Sequence, residues 1–324
     1  MKKVVKALLI TALGIGAIAP TYAAESAGQA GAYLKMGVGA RALGMGSAFT
    51  AVANDSTAAF WNPAGLAKLK KHEASFMHAN LSDDRDYNFF NYAHVLKNKD
   101  GKSNGTIALS HINFGIDGIP ETDIARDANG NPILDGNGNE QPALDANGNV
   151  IIKGYFEDKE TNTFISYGRA ITDKFYAGVN LKYLKHELYK NKADAMGLDF
   201  GLMYDWNDKT TLGLSVRDIG ESLDWDTEAG TKDDVPVTTT FGVAHQCNDK
   251  LLIAADLNKV KDMDVKLFCG AEYKIHENVL LRVGSHDSDL TLGASFKLDT
   301  WRFDYSYADE TLGDAHRISA SKTF

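Results

Sequence analysis

Three near-copies of one short motif offer the first chemistry in this chain: Asp127-Ala128-Asn129-Gly130-Asn131, Asp135-Gly136-Asn137-Gly138-Asn139 and Asp145-Ala146-Asn147-Gly148-Asn149. Side-chain oxygens at alternate positions are what a calcium loop uses, which makes Asp127, Asn129, Asp135, Asn137, Asp145 and Asn147 weak candidate ligands. The helix-loop-helix calcium motif needs glycine at its sixth position and a bidentate glutamate at its twelfth, and neither falls there. Asn-Gly is also the strongest short signal for a hairpin turn, so the repeats read first as tight turns and second as a cation site. Gly37-Val38-Gly39 with Gly44 and Gly46 follows no strand and lacks the Lys-Ser/Thr pair of a phosphate cradle. The histidines, among them His72, His78, His186, His245, His286 and His316, show no metal spacing, and no serine sits in a nucleophile elbow. The sequence therefore assigns no catalytic residue and no cofactor. Cys247 and Cys269 lie in strand-like segments; pairing in an oxidising compartment is open to them, but their setting favours two free thiols.

A second group of chemically capable residues is charged and regularly placed. Lys182, Asp199, Arg217, Glu272, Arg282, Arg302, Asp304 and Arg317 all fall on the polar rows of alternating segments. From Phe175 to Tyr183, for example, Phe175, Ala177, Val179, Leu181 and Tyr183 share one face, while Tyr176, Gly178, Asn180 and Lys182 share the other. Met196, Leu198, Phe200, Leu202 and Tyr204 repeat the pattern, as do Leu290, Leu292, Ala294 and Phe296, and then Trp301, Phe303, Tyr305 and Tyr307. A period of two means strands. A soluble sandwich alternates too. Here aromatics gather at the ends of the apolar rows and the opposite rows mix charges with glycines, as the girdles and lumen of a membrane barrel do.

About fourteen strand candidates lie between Glu73 and Phe324. An even number brings both barrel termini to the periplasmic side, and closure is obligatory in lipid because an unpaired amide finds no water there. The fold class expected is all-β: a closed antiparallel transmembrane β-barrel with a small N-terminal helical plug, or hatch, in its lumen. Charges of both signs would then line the lumen as cross-strand pairs that stiffen a filled barrel, or as a selectivity device. Phe324 ends an alternating strand and resembles the C-terminal signal read by the barrel-assembly machinery. The turn-rich insertion, about residues 117–155, belongs outside the cell.

Lys2, Lys3 and Lys6 before the apolar stretch from Ala7 to Ala19, with Thr21-Tyr22-Ala23 after it, read as a cleaved signal peptide over residues 1–23. The expected location is the outer membrane, with its lipid as a partner. Loss of those three lysines takes the formal charge from −9 to −12, which disfavours nucleic acid as a partner.

Residues 24–71 have another texture, with small residues, many glycines and no sustained alternation. Ser47 is placed to cap a short helix through Ala53 and Asp55 another through Trp61; Pro63 then forces Asn62 out of the helical region and stops it. The run Gly39-Ala40-Arg41-Ala42-Leu43-Gly44-Met45-Gly46-Ser47-Ala48-Phe49, followed by Asn54-Asp55-Ser56-Thr57-Ala58-Ala59-Phe60-Trp61-Asn62-Pro63-Ala64-Gly65-Leu66, resembles the N-terminal signature of the PorV/PorQ family, which is related to the FadL-type transporters. Asp218-Ile219-Gly220, Ala254-Ala255-Asp256-Leu257, Gly270-Ala271-Glu272-Tyr273 and His316-Arg317-Ile318-Ser319 extend the resemblance along the barrel over residues 72–324. It implies fourteen strands around a luminal hatch, with Gly44, Gly46, Asn62, Pro63, Ala64 and Gly65 as hatch residues; a plain helix-ending turn explains the last four equally well.

Three functions follow as expectations. One is a FadL-like passage for small hydrophobic molecules, gated by the plug. Another, implied by the PorV resemblance, is a barrel of type IX secretion that handles secretion-system proteins at its outer loops. The third is a structural or adhesive surface barrel built on the turn-rich insertion. None is an enzyme.

Overall fold

The computed structural model describes residues 29–324 except 82–84, 228–229 and 311–312. The expected signal peptide, residues 1–23, and the first plug residues lie outside the described residues.

The strands are β1 (Glu73–Leu81), β2 (Arg85–Lys97), β3 (Ser103–Thr122), β4 (Ile152–Ala170) and β5 (Phe175–Leu188). Next come β6 (Asn191–Asn207), β7 (Thr210–Ile219), β8 (Ser222–Trp225), β9 (Lys232–Asp234), β10 (Thr238–Asn248) and β11 (Leu251–Val260). The last are β12 (Val265–His276), β13 (Val279–His286), β14 (Asp289–Leu298), β15 (Trp301–Glu310) and β16 (Gly313–Thr323). Fourteen of them close an antiparallel ring: β1 pairs with β16 from Glu73↔Thr323 to Asn80↔His316, β7 pairs with β10, and every other ring neighbour is a chain neighbour. The short β8 and β9 form a hairpin on the end of β6, outside the ring.

Alternation fixes which way each side chain points. Phe76, Leu109, Leu181, Phe200, Leu257, Leu281, Phe296 and Ile318 stand outward and exposed, while their chain neighbours Ser75, Ser110, Asn180, Asp199, Asp256, Arg282, Ser295 and Arg317 are buried inward. A continuous exposed apolar belt of this kind is stable only against hydrocarbon. One end of the ring carries short turns such as 98–102, 171–174 and 208–209, together with both barrel termini, where Phe324 N donates to His72 O at 2.9 Å. The opposite end carries the long connections 123–151 and 220–237. By the usual asymmetry of such barrels these are the inner and outer ends.

The outer insertion is shorter than the expected 117–155, because β3 and β4 stay paired as far as Thr122↔Ile152. What remains is an arm with a three-way backbone pattern. Ala125 N donates to Gln141 O, Gln141 N to Ile133 O and Ile133 N to Ala125 O; Asp123, Ile151 and Ala143 make a second such triangle. Each Asp-x-Asn-Gly-Asn copy closes one corner as a tight turn: in the first, Asp127 Oδ1 accepts from Asn129 N at 2.8 Å and Asn131 N at 2.9 Å.

The plug packs inside the ring, with Tyr33, Val38, Met45, Phe49, Ala53 and Trp61 all buried. It enters at the outer end, where Gly31 meets Val235 of the long connection, and leaves at the inner end through Lys68, which bridges Asp205 at 2.7 Å. Its helices are shorter than the sequence suggested. The expected helix from Ser47 to Ala53 is a set of turns, with Ser47 at φ 64, because the Phe49 and Thr50 amides bond to the barrel wall rather than along a helix. The second helix covers only Ala58–Trp61. Asn62 is extended (φ −162, ψ 101), as a residue before proline should be, but Pro63 also starts a new 3-10 turn, Pro63–Lys68, from its favoured first position.

Candidate functional site

The lumen is where inward side chains and the plug meet, and glycines decide how closely. Gly168, Gly178, Gly201, Gly213, Gly242, Gly270 and Gly284 face inward on β4, β5, β6, β7, β10, β12 and β13, and a Cβ on any of them would overlap its luminal neighbours. Several sit opposite one another in register, as Gly168↔Gly178, Gly178↔Gly201, Gly213↔Gly242 and Gly270↔Gly284. The result is a belt where plug backbone rests directly on wall backbone. Pro63 lies against Gly168 and Gly178, Asn62 against Gly201, and Met45 with Gly46 against Gly270 and Gly284. Gly44 meets Gly293 of β14, and Gly65 packs on Ala53 O within the plug.

A plug with so little regular structure must find partners for its amides elsewhere. The wall supplies them. Asp256 of β11 accepts from Phe49 N at 3.0 Å and Thr50 N at 2.9 Å; Ser319 of β16 accepts from Ala40 N at 2.9 Å; Asn180 of β5 donates to Ala59 O at 2.8 Å. Asn62, wholly buried, donates to Thr50 O at 2.9 Å and to Leu202 O of β6 at 3.1 Å, while its Oδ1 accepts from Ala64 N at 3.2 Å.

Six of the eight luminal charges fall in two clusters, and Arg217 and Arg317 lie outside these two. Glu272, Arg282, Arg302 and Asp304 join Arg41 and Asp55 of the plug in a closed loop of alternating sign. Its links are Arg41 to Asp55 (2.9 Å), Asp55 to Arg302 (3.1 Å), Arg302 to Asp304 (2.8 Å), Asp304 to Arg282 (3.4 Å), Arg282 to Glu272 (2.7 Å) and Glu272 to Arg41 (3.0 Å). Three cations and three anions balance. The second cluster joins Lys182 to Asp199 (3.5 Å), Glu221 (2.8 Å) and, more tightly, Asp218. Asp218 sits at φ 66 where the β6–β7 register shifts, and its amide donates to Asp199 Oδ1 at 2.8 Å. Arg217 lies apart with its guanidinium 4.7 Å from the Phe60 ring, and Arg317 is buried on the inner face of β16.

Arg41, Asp55, Asp218, Glu221 and Asp256 were not among the expected luminal charges. Arg41 and Asp55 stand in the plug, where no strand parity marks a side chain as inward. Asp256 had a signal: it alternates with outward Leu257 on β11.

The outer half of the lumen is different in kind. Between β1 and β6 most inward side chains at this level are apolar, namely Met77, Tyr87, Phe89, Ile112, Phe164 and Leu184, each 2% exposed or less, with Asn162 buried among them opposite Ile112 and Leu184. Into this chamber the plug inserts Tyr33, stacked on Phe114 with ring centroids 6.0 Å apart, and the long outer connection inserts Leu223 and Val235. At the inner mouth a recess of about 530 Å³ opens between the end of the plug and the wall, lined by Leu69, Val95, Tyr176, Lys68, Lys97 and Asp205.

Outside the lipid belt, the carboxyls of Asp127, Asp135 and Asp145 are held below their ordinary value, chiefly by the amides of Asn131, Asn139 and Asn149. In each copy the second oxygen also accepts from the last asparagine's Nδ2, so protein donors occupy the positions a cation would need. Cys247 and Cys269 are both free thiols.

No family model matches the chain, and no curated protein does either. Solved structures do. The chain is similar to the Pseudomonas putida toluene transporter TodX (TM-score 0.57, 15% identity, 89% of this chain and 97% of that one). It is equally similar to the Ralstonia pickettii toluene transporter TbuX (TM-score 0.56, 16% identity, 89% and 98%) and less so to a Pseudomonas aeruginosa FadL homologue (TM-score 0.50, 13% identity, 85% and 95%). What these structural likenesses show is a shared fold, a closed antiparallel β-barrel.

Proposed function

We propose that this chain is an outer-membrane channel for small hydrophobic molecules, working in the FadL manner, with a cleaved leader at residues 1–23 and residues 24–71 as its hatch. The observation that carries this reading is the apolar chamber in the outer half of the lumen. A barrel that only needed a stiff filling has no use for a largely apolar, aromatic patch of Tyr87, Phe89, Ile112 and Phe114 on its inner wall, against which the plug stacks Tyr33. Burying an apolar guest there instead of Tyr33 is favourable by about 25 cal/mol for each Å² taken from water. The recess at the inner mouth gives such a guest a place to emerge once the plug shifts.

Binding of an apolar fluorescent probe to the purified chain in a mild detergent tests this. Tyr33→Ala opens space beside Phe114 and should tighten probe binding, and Phe89→Asp should abolish it. Equal binding by all three proteins would sink the channel reading. The PorV/PorQ resemblance supports a second reading, a barrel of type IX secretion, and the arm favours it by exposing Leu134, Leu144 and Val150 to the outside. Recovery of secretion proteins with the wild-type chain, lost on removal of residues 124–150, would select it.

A further inference from the structure

We propose that Asp158, Glu160 and His186 form a binding site for one divalent transition-metal ion, zinc or cobalt in type, at the outer rim of the barrel. The three side chains share the inward face of β4 and β5, with Glu160 directly opposite His186 in register and Asp158 two residues further out. Their ligating atoms all lie within 4.8 Å of one another. At this level the outward residues are Lys159, Lys185 and Asp194, so the site stands beyond the lipid belt, in reach of water and ions. It also borders the apolar chamber, since Phe114 pairs with Glu160 across β3 and β4.

Charge makes the argument. His186 Nε2 lies 2.7 Å from Asp158 Oδ1, and its Nδ1 lies 4.0 Å from Glu160 Oε2. Among the described residues neither carboxylate pairs with a lysine or arginine. Glu160 is only 9% exposed and, among the described residues, accepts no hydrogen bond, so a nearly buried carboxylate faces the cluster. With a neutral imidazole the site holds two negative charges against no fixed cation, an arrangement that favours a proton or a metal ion. One imidazole nitrogen with two carboxylate oxygens suits zinc and its neighbours better than calcium or magnesium, which prefer all-oxygen shells. The other cluster of carboxylates, Asp199, Asp218 and Glu221, differs because the Lys182 ammonium already sits within it.

The ion would do more than tie β4 to β5. Trp225 of the β8–β9 hairpin lies over His186, ring centroids 4.9 Å apart, and its Nε1 donates to Asp233 at 2.7 Å. That hairpin belongs to the connection that inserts Leu223 and Val235 into the chamber. Fixing the imidazole therefore fixes the cover of the lumen.

The test uses the full chain, free of any tag and stripped with a chelator, titrated calorimetrically with zinc and by visible absorbance with cobalt. One ion per chain is expected. Outer-shell partners of a metal already contribute 10–100-fold to affinity, so His186→Ala should weaken binding by about 100-fold or more. Glu160→Gln, nearly isosteric, carries the same test if the alanine variant fails to fold, while Asp218→Asn should leave binding unchanged. Cobalt should also quench Trp225 fluorescence, an effect lost in Trp225→Phe. No binding at about 1 mM metal, or wild-type affinity in both His186→Ala and Glu160→Gln, would overturn the proposal.

Discussion

A buried ion pair is a poor source of net stability, because desolvation offsets most of the attraction; its value lies in fixing one arrangement over others. The six-membered charge loop follows that logic. Arg41 and Asp55 stand in separate parts of the plug, pair with each other, and each makes one link to the wall, Arg41 to Glu272 of β12 and Asp55 to Arg302 of β15. Removing the charge of any one member leaves its two neighbours with one partner each and the loop with an uncompensated buried charge. Glu272→Gln takes one of two anionic partners from both Arg41 and Arg282, leaves three buried cations against two anions, and should lower stability by about 3–5 kcal/mol, read as a fall in the urea midpoint of the folded barrel on unboiled gels. A change under about 1 kcal/mol would mean that water reaches the loop.

Among elements, the seat of the plug is the wall's glycine belt. Gly178→Val places a branched side chain where Pro63 now lies, and neither backbone has room to yield. The expected outcome is an assembled barrel with an unseated plug: conductance in planar bilayers rises and protease cuts appear near Pro63, whereas Leu181→Val on the lipid face changes neither. The outer arm is an element with a different sensitivity. A carboxyl whose pKa folding has lowered stabilises above its unfolded pKa, near 3.9, and that contribution fades as pH falls through the lower folded value. The arm's turns at Asp127, Asp135 and Asp145 should therefore hold at neutral pH and loosen only in strong acid, before the barrel does, as hydrogen exchange of Asn131, Asn139 and Asn149 amides would show. Strand parity made the wall legible in the sequence: Lys182, Asp199, Glu272 and Arg282 all lie inward because a period of two leaves one choice of face. The plug offered no such rule. Its conformation is set by bonds to residues two hundred positions away, such as Asp256 to Thr50, and no local propensity of Ser47 to Ala53 encodes those.

For the whole molecule, closure was readable from alternation, strand number and the lipid-facing belt, since a sheet with an edge cannot survive in hydrocarbon. The division of the lumen was not. Whether Tyr87, Phe89 and Ile112 form one chamber depends on the registers that bring Tyr87 opposite Phe114 and Phe89 opposite Ile112, and register is a property of pairs of strands rather than of any one.

The path of the plug, in at the outer mouth beside Val235 and out at the inner mouth beside Asp205, has a bearing on biogenesis. A cord that touches the tube wall backbone to backbone, as Pro63 touches Gly178 and Gly46 touches Gly284, leaves little room to be threaded in after the tube is sealed. Strands β1 and β16, the seam, meet last in chain order and flank the cord's exit at His72, so the wall must be wrapped around a segment synthesised before any of it. The plug is then the template on which the cylinder is cast.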